Sequence, residues 1–120
     1  FSAAKYIEER RKLAIARYAI AETFSDIDII VTPTAPGLPE KIRDAQNPSD
    51  ASGAEPSVRN TFPFNIFGIP TISVPCGFSR SGLPIGLQIS GPPLGELSVL
   101  ALAHAYEQST EWHKRQAPLA

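Results

Sequence analysis

The 120 residues contain no methionine, a single cysteine and a single tryptophan, and no charge of either sign dominates. Without methionine, and with Phe1 standing almost inside a helical pattern, the sequence is expected to be a piece of a longer chain. The lone Cys76 excludes an internal disulfide framework and suits a reducing compartment, so a cytoplasmic location is expected. No window approaches the roughly eighteen consecutive apolar residues of a spanning helix, and Phe1 is read as opening neither a signal peptide nor an anchor. A membrane is therefore not an expected partner. Eleven basic against twelve acidic side chains give a formal charge of −1, which offers nothing to a nucleic acid directly or to an anionic surface. At this length one modest core is expected, since a chain of this size buries about two-thirds of its unfolded surface.

What is present falls into ordered blocks. Residues 2–24 hold no glycine or proline, and Tyr6, Leu13, Ala16, Ile20 and Phe24 recur on one side at helical spacing, widened by Ile7, Ala14, Tyr18 and Ala21. This spacing predicts a long amphipathic helix, with Glu8 and Lys12 paired in the favourable i,i+4 order on its solvated side. Arg10 and Arg17 fall inside the apolar arc. They are expected to snorkel from its edge, the alternative being that they lock the helix to carboxylates or carbonyls elsewhere. "DIDIIVTPT" then predicts a short strand over residues 27–32, closed by Pro33 and buried on both faces, as an interior strand would be.

Residues 35–57 are polar, carry four prolines and show no period, so a long loop is expected. In "SVRNTFPFNIFGIP", Pro63 fits the first turn of a short helix capped by Asn60 or Thr61 and ended by Gly68. Two strands follow, over residues 71–74 and 85–90, joined at a Ser81-Gly82 turn. Val99, Leu102, Ala103 and Tyr106 predict a second amphipathic helix over residues 96–108, with Gly95 as its cap and Glu96 suited to its dipole. His104 lies beside that stripe and is expected to be packed or half exposed rather than a ligand.

Several chemistries fail on spacing. Zinc needs three or four protein ligands, and Cys76, His104 and His113 lack the paired spacing of such sites, so no metal is expected. "GFSRSG" leads into a strand rather than a helix and has no lysine behind its glycines, so it does not cradle phosphate. The same residues miss the nucleophile elbow, because Ser81 stands where the second glycine should be, and Ser79 and Ser81 read as turn residues. Cys76 has no base nearby in sequence and is expected to be an inert buried thiol.

Four blocks in order, "DIIVTPTAP", "TFPFNIFGIPTISVPCGF", "GLPIGLQISG" and a helix carrying "LALAHAYE", resemble the C-terminal part of amidase-signature hydrolases. The resemblance runs from the Tyr6 helix to Trp112 and is weakest over residues 37–58. It implies an α/β fold of the α/β/α kind, with a mixed sheet flanked by helices. It also implies cleavage of carboxamides by a lysine, a bridging serine held by a cis peptide bond, and a serine nucleophile that forms an acyl-enzyme. Those groups belong to a lysine segment and a Gly/Ser-rich signature in the N-terminal part of the family's chain. Neither is present: Lys5, Lys12, Lys41 and Lys114 stand in solvated or loop contexts, and no tandem Gly-Ser-Ser run exists.

No catalytic residue is therefore assigned here, and no cofactor. The resemblance implies that Thr61, Phe62 and Asn65 border the acyl side of the substrate cavity, Phe62 as an apolar wall and Asn65 tying backbone beside Gly68 and Pro70. Chain ends after Val31 and Val74 are further candidates for the pocket. Three functions follow as expectations: an amidase acting on a small-molecule amide, the amidase (A) component of a glutamine-dependent aminoacyl-tRNA amidotransferase, or a non-catalytic structural or interaction fragment. The missing N-terminal part of the same protein is the expected partner. Without it the segment is expected to self-associate, as a homo-oligomer, or to bind another chain through its unpaired strands.

Overall fold

A computed structural model describes residues 1–39 and 58–116. Of the loop expected over residues 35–57, everything from residue 40 onward lies outside these described residues, as does Lys41. The glycine- and proline-free opening forms helix α1, Ala3–Thr23, whose first turn is capped by Ser2: its hydroxyl accepts from the Lys5 backbone N–H at 3.3 Å. On its polar side Lys12 reaches Glu8 at 2.6 Å and Lys5 reaches Glu9 at 2.8 Å, both at i,i+4 spacing. The apolar arc is only partly used. Leu13, Ala16, Ile20 and Phe24 are half-buried, while Tyr6, Ile7 and Tyr18 are exposed.

Strand β1, Ile30–Pro33, strand β2, Thr71–Phe78, and strand β3, Pro84–Ser90, form one sheet in the order β1-β3-β2. Both pairings are antiparallel, with Thr32 opposite Gln88 on one side and Ser73 opposite Gln88 on the other. The α/β class holds, with helices packed about a sheet whose described strands are all antiparallel. Among the described residues β1 is an edge of the sheet, its residues alternate between half-buried and exposed, and Val31 is 50% exposed, so the burial expected on both faces is not seen there. Val31 lies opposite Ile89 on the face where the helix Glu96–Ser109 packs, and that helix packs on β2 and β3 rather than over β1.

Strand β2 also runs past its expected end at Val74, through Pro75 to Phe78. A proline is accommodated because β2 is the opposite edge, where a missing N–H breaks no second ladder, and the register slips between Pro75 and Gly77. The β2-β3 connection is a tight turn in which the Ser79 hydroxyl accepts from the Leu83 N–H at 3.0 Å and lies 2.9 Å from that of Ser81. Both serines are thus turn residues.

Helix α2, Phe62–Phe67, and helix α3, Glu96–Ser109, complete the main elements, followed by a 3-10 turn at Trp112–Lys114. Pro63 sits in the first turn of α2 as expected, and Gly68 ends the helix at φ +70°, a conformation costly to any residue with a Cβ. From α3, Val99 and Ala103 pack on Val74 and Ile89 to form the core, with Ile29, Ile72, Leu87 and Tyr106 around it. Burial of a side chain such as Ile89, 1% exposed, contributes about 1.5–3 kcal/mol. Leu102, placed in this stripe by spacing, is 40% exposed at its edge, and His104 is exposed. The Arg115 guanidinium lies 3.9 Å over the Phe78 ring, which also packs against Trp112, and so fastens the last turn to β2.

The lysine pairs on α1 yield an ordered titration. The Glu8 carboxyl is held below the usual carboxylate range by Lys12 first and Lys5 second, and Glu9 by Lys5 first and Lys12 second. Depressed carboxylates contribute stability above their unfolded pKa and lose it as pH falls through the folded value, so these pairs fail on the acid side. NMR-detected titration is expected to show Lys12→Ala raising the Glu8 midpoint more than Lys5→Ala does, with the order reversed at Glu9.

Candidate functional site

The two faces of the sheet differ in chemistry because strand side chains alternate. Ile85, Leu87 and Ile89 of β3 share one face, and α3 packs there. Gly86, Gln88 and Ser90 share the other, aligned with Thr32 on β1 and with Thr71 and Ser73 on β2. This second face is polar, and its groups satisfy one another. The Thr34 and Ser73 hydroxyls lie 2.6 Å apart across Gly86, where a Cβ would come within 2.6 Å of the one and 2.7 Å of the other. Only glycine leaves room for that bridge. The Thr71 hydroxyl donates to Ser90 at 3.0 Å.

Gln88 is the most demanding of the set. It is 1% exposed, and a buried amide left without partners costs about 1–3 kcal/mol. Its Nε2 donates to the Thr32 hydroxyl at 3.2 Å and to the Asn60 carbonyl at 3.0 Å. Asn60 in turn donates from Nδ2 to the Pro33 carbonyl at 2.9 Å. The chain just ahead of α2 is thereby tied to two strands.

Beside this joint opens a cleft of about 350 Å³ lined by Thr32, Pro33, Arg59, Asn60, Pro63 and Phe64. Its wall is α2, clamped at the far end by Arg17, whose Nε donates to the Ile66 carbonyl at 2.6 Å. Arg17 stays exposed, as a snorkelling side chain would, and also makes the bond to a remote carbonyl that was the alternative reading. A carbonyl in the last turn of a helix has no intrahelical partner and is a natural acceptor for a cation. Arg10 is exposed as well.

Of the residues that the resemblance implies, Thr61 and Phe62 stand where α2 begins, between the lining residues Asn60 and Pro63. Thr61 is half-buried and donates its hydroxyl to the Val58 carbonyl at 3.1 Å, while Phe62 is 57% exposed. Asn65 lies one turn further on, also exposed, and its side chain makes no hydrogen bond among the described residues. The tie to backbone beside Gly68 and Pro70 expected of Asn65 is therefore not made among the described residues, and the side-chain amide that does bond backbone near this helix is that of Asn60, to the Pro33 carbonyl. Sequence reasoning missed both Asn60 and Gln88. The available signal was a lone amide in the apolar strand "PIGLQIS", since a buried amide has to find partners.

Among the described residues no group of His, Cys, Asp and Glu is arranged to hold a metal ion, and no helix is long and apolar enough to cross a membrane. Cys76 is half-buried rather than buried. Lys5, Lys12 and Lys114 are all engaged with glutamates on the surface. The cleft has walls and an anchored helix, and among the described residues no lysine and no histidine lines it.

A segment of this kind, a strand and hairpin with a short aromatic helix clamped beside them, matches the Amidase family over residues 1–100, and the chain belongs to that family. Among the relatives is the A component of the glutamyl-tRNA(Gln) amidotransferase of Geotalea daltonii, to which it is 40% identical over 116 residues, covering 97% of this chain and 24% of that protein. It is 43% identical over 111 residues to the protein of the same name from Thermodesulfovibrio yellowstonii, covering 92% and 22%. The solved structure of the corresponding glutamyl-tRNA(Gln) amidotransferase component from Thermotoga maritima superposes at a TM-score of 0.68 with 33% identity, over 90% of this chain and 24% of that one. A 6-aminohexanoate cyclic dimer hydrolase superposes at 0.78 with 22% identity, over 98% and 26%, a likeness of fold. The chain spans about a quarter of the length of the curated relatives it matches.

The Arg17 clamp has a local consequence. In hydrogen-exchange measurements Arg17→Ala is expected to speed exchange of the Gly68 and Ile69 amides, which bond to the Phe64 carbonyl in the last turn of α2, and to leave α3 unchanged.

Proposed function

We propose that the intact protein is an amidase that hydrolyses carboxamide C–N bonds through a serine acyl-enzyme, and that the present residues supply part of its scaffold and substrate wall. The observation that carries this reading is the family match over residues 1–100. In the proposed reaction a serine oxygen attacks the amide carbonyl, the C–N bond breaks as the amine leaves with a proton, and water then hydrolyses the ester. The serine, its bridging serine and the lysine lie outside this sequence, where no residue is assigned a catalytic role. Thr61, Phe62 and Asn65 form the acyl side of the substrate site, Phe62 as its apolar wall. The reading calls for no metal or organic cofactor.

Two experiments test it. The intact protein is expected to release amine from a carboxamide and to lose that activity with a serine-directed fluorophosphonate, whereas the separate 120-residue chain is expected to be inactive. Fluorophosphonate-sensitive hydrolysis by the separate chain would place the nucleophile within these residues and overturn the assignment. Within the intact enzyme, Phe62→Ala is expected to lower kcat/KM about tenfold or more for amides with an apolar acyl group, the scale of a lost apolar contact in a binding pocket.

A second reading is favoured by the 40–43% identity to amidotransferase components. Here the protein is the amidase component of a transamidation complex, releasing ammonia from glutamine for a misacylated tRNA held by a partner. Co-purification with a tRNA-binding protein and ammonia release that depends on glutamine would select it over a free-standing amidase.

A further inference from the structure

We propose that Gln88 is a positioning residue for the substrate wall, acting through Asn60 to set where α2 stands beside the cleft. The proposal rests on the amidase reading for the identity of the substrate. The joint itself is read from geometry. Gln88 lies on the central strand, and its Nε2 carries two hydrogens directed to acceptors on two different segments, the Thr32 hydroxyl of β1 and the Asn60 carbonyl. Asn60 returns a bond from Nδ2 to the carbonyl of Pro33, the residue after Thr32. The result is a closed circuit from β3 to the α2 entry, to β1 and back to β3. Three of its members, Thr32, Pro33 and Asn60, line the cleft.

Sheet stability alone does not call for an amide at this point. A β-branched side chain would suit a strand interior better, and burying an amide costs free energy unless its partners are in place. What the amide adds is direction, because a fully satisfied polar network admits one arrangement of its members where apolar contact admits several. Thr61 and Phe62 follow Asn60 immediately, so they inherit its position. With Arg17 holding Ile66 at the other end, loss of the Gln88 joint leaves α2 attached but free to pivot. Movement of a wall by about 1 Å is enough to change substrate discrimination strongly.

The test uses the intact protein with acetamide and benzamide as probes, comparing the wild type with Gln88→Leu, Asn60→Ala and the double variant. Both single variants are expected to lower the ratio of kcat/KM for benzamide to that for acetamide about tenfold, chiefly through KM for benzamide. The double variant is expected to lower it no further, since both changes open one circuit. An equal fall for both amides, accompanied by a lower Tm, would show a merely structural role and overturn the proposal. Asn60→Ala keeps the test decisive if Gln88→Leu fails to fold, because Asn60 is at the surface end of the circuit. Hydrogen exchange in α2 reads the joint without catalysis: it is expected to quicken in Asn60→Ala with α3 unchanged, and unchanged exchange would also overturn the proposal. Absence of hydrolysis by the wild type would instead sink the amidase reading, leaving exchange to decide on the joint.

Discussion

The organisation of this segment depends on the central strand β3, which must satisfy two unlike neighbourhoods at once. Ile89 faces the α3 helix and is almost wholly removed from water, and the adjacent Gln88 and Ser90, equally buried, face a layer of hydroxyls and carbonyls. Because side chains alternate strictly, a shift of one residue in pairing would put Gln88 into the apolar core and Ile89 against the hydroxyls. Register is thus enforced from both faces. The same constraint brings Thr32, Pro33 and Asn60 together at the edge of a cleft.

That arrangement divides labour between anchoring and contact. The apolar face binds α3 without directional demand, through Val99 and Ala103 on Val74 and Ile89. The polar face does the directional part, fixing the start of α2 through Asn60 while Arg17 of α1 takes the unpaired Ile66 carbonyl at its end. A six-residue helix is too short to hold itself in water, so its position comes from these attachments. Any side chain that α2 presents to the cleft takes its position from the sheet and from α1.

Much of the outline was legible from residue order. A stretch without glycine or proline became α1, Pro63 and Gly68 bracketed α2, and the Val99, Ala103 and Tyr106 spacing marked the face of α3 that packs on the sheet. The departures have local causes. Val31 reads as interior because apolar content does not report which strands a helix lies over, and α3 packs on β2 and β3. Pro75 reads as a strand end because proline forbids a ladder bond on one side only, and an edge strand has nothing to lose on the other. The carbonyl that Arg17 meets could not be named from the sequence because it lies 49 residues away.

By itself the sequence determined the family, the element order, the absence of paired metal-ligand spacing and the lack of a lysine-serine signature, since all of these reside in residue types and their spacing along the chain. The candidate site was different. Which amide would be buried, which carbonyl it would meet and that Asn60 would join the entry of α2 to β1 were settled only when three strands and a short helix came together. Hydrogen bonds depend on distance and direction between groups remote in sequence, and local pattern carries neither.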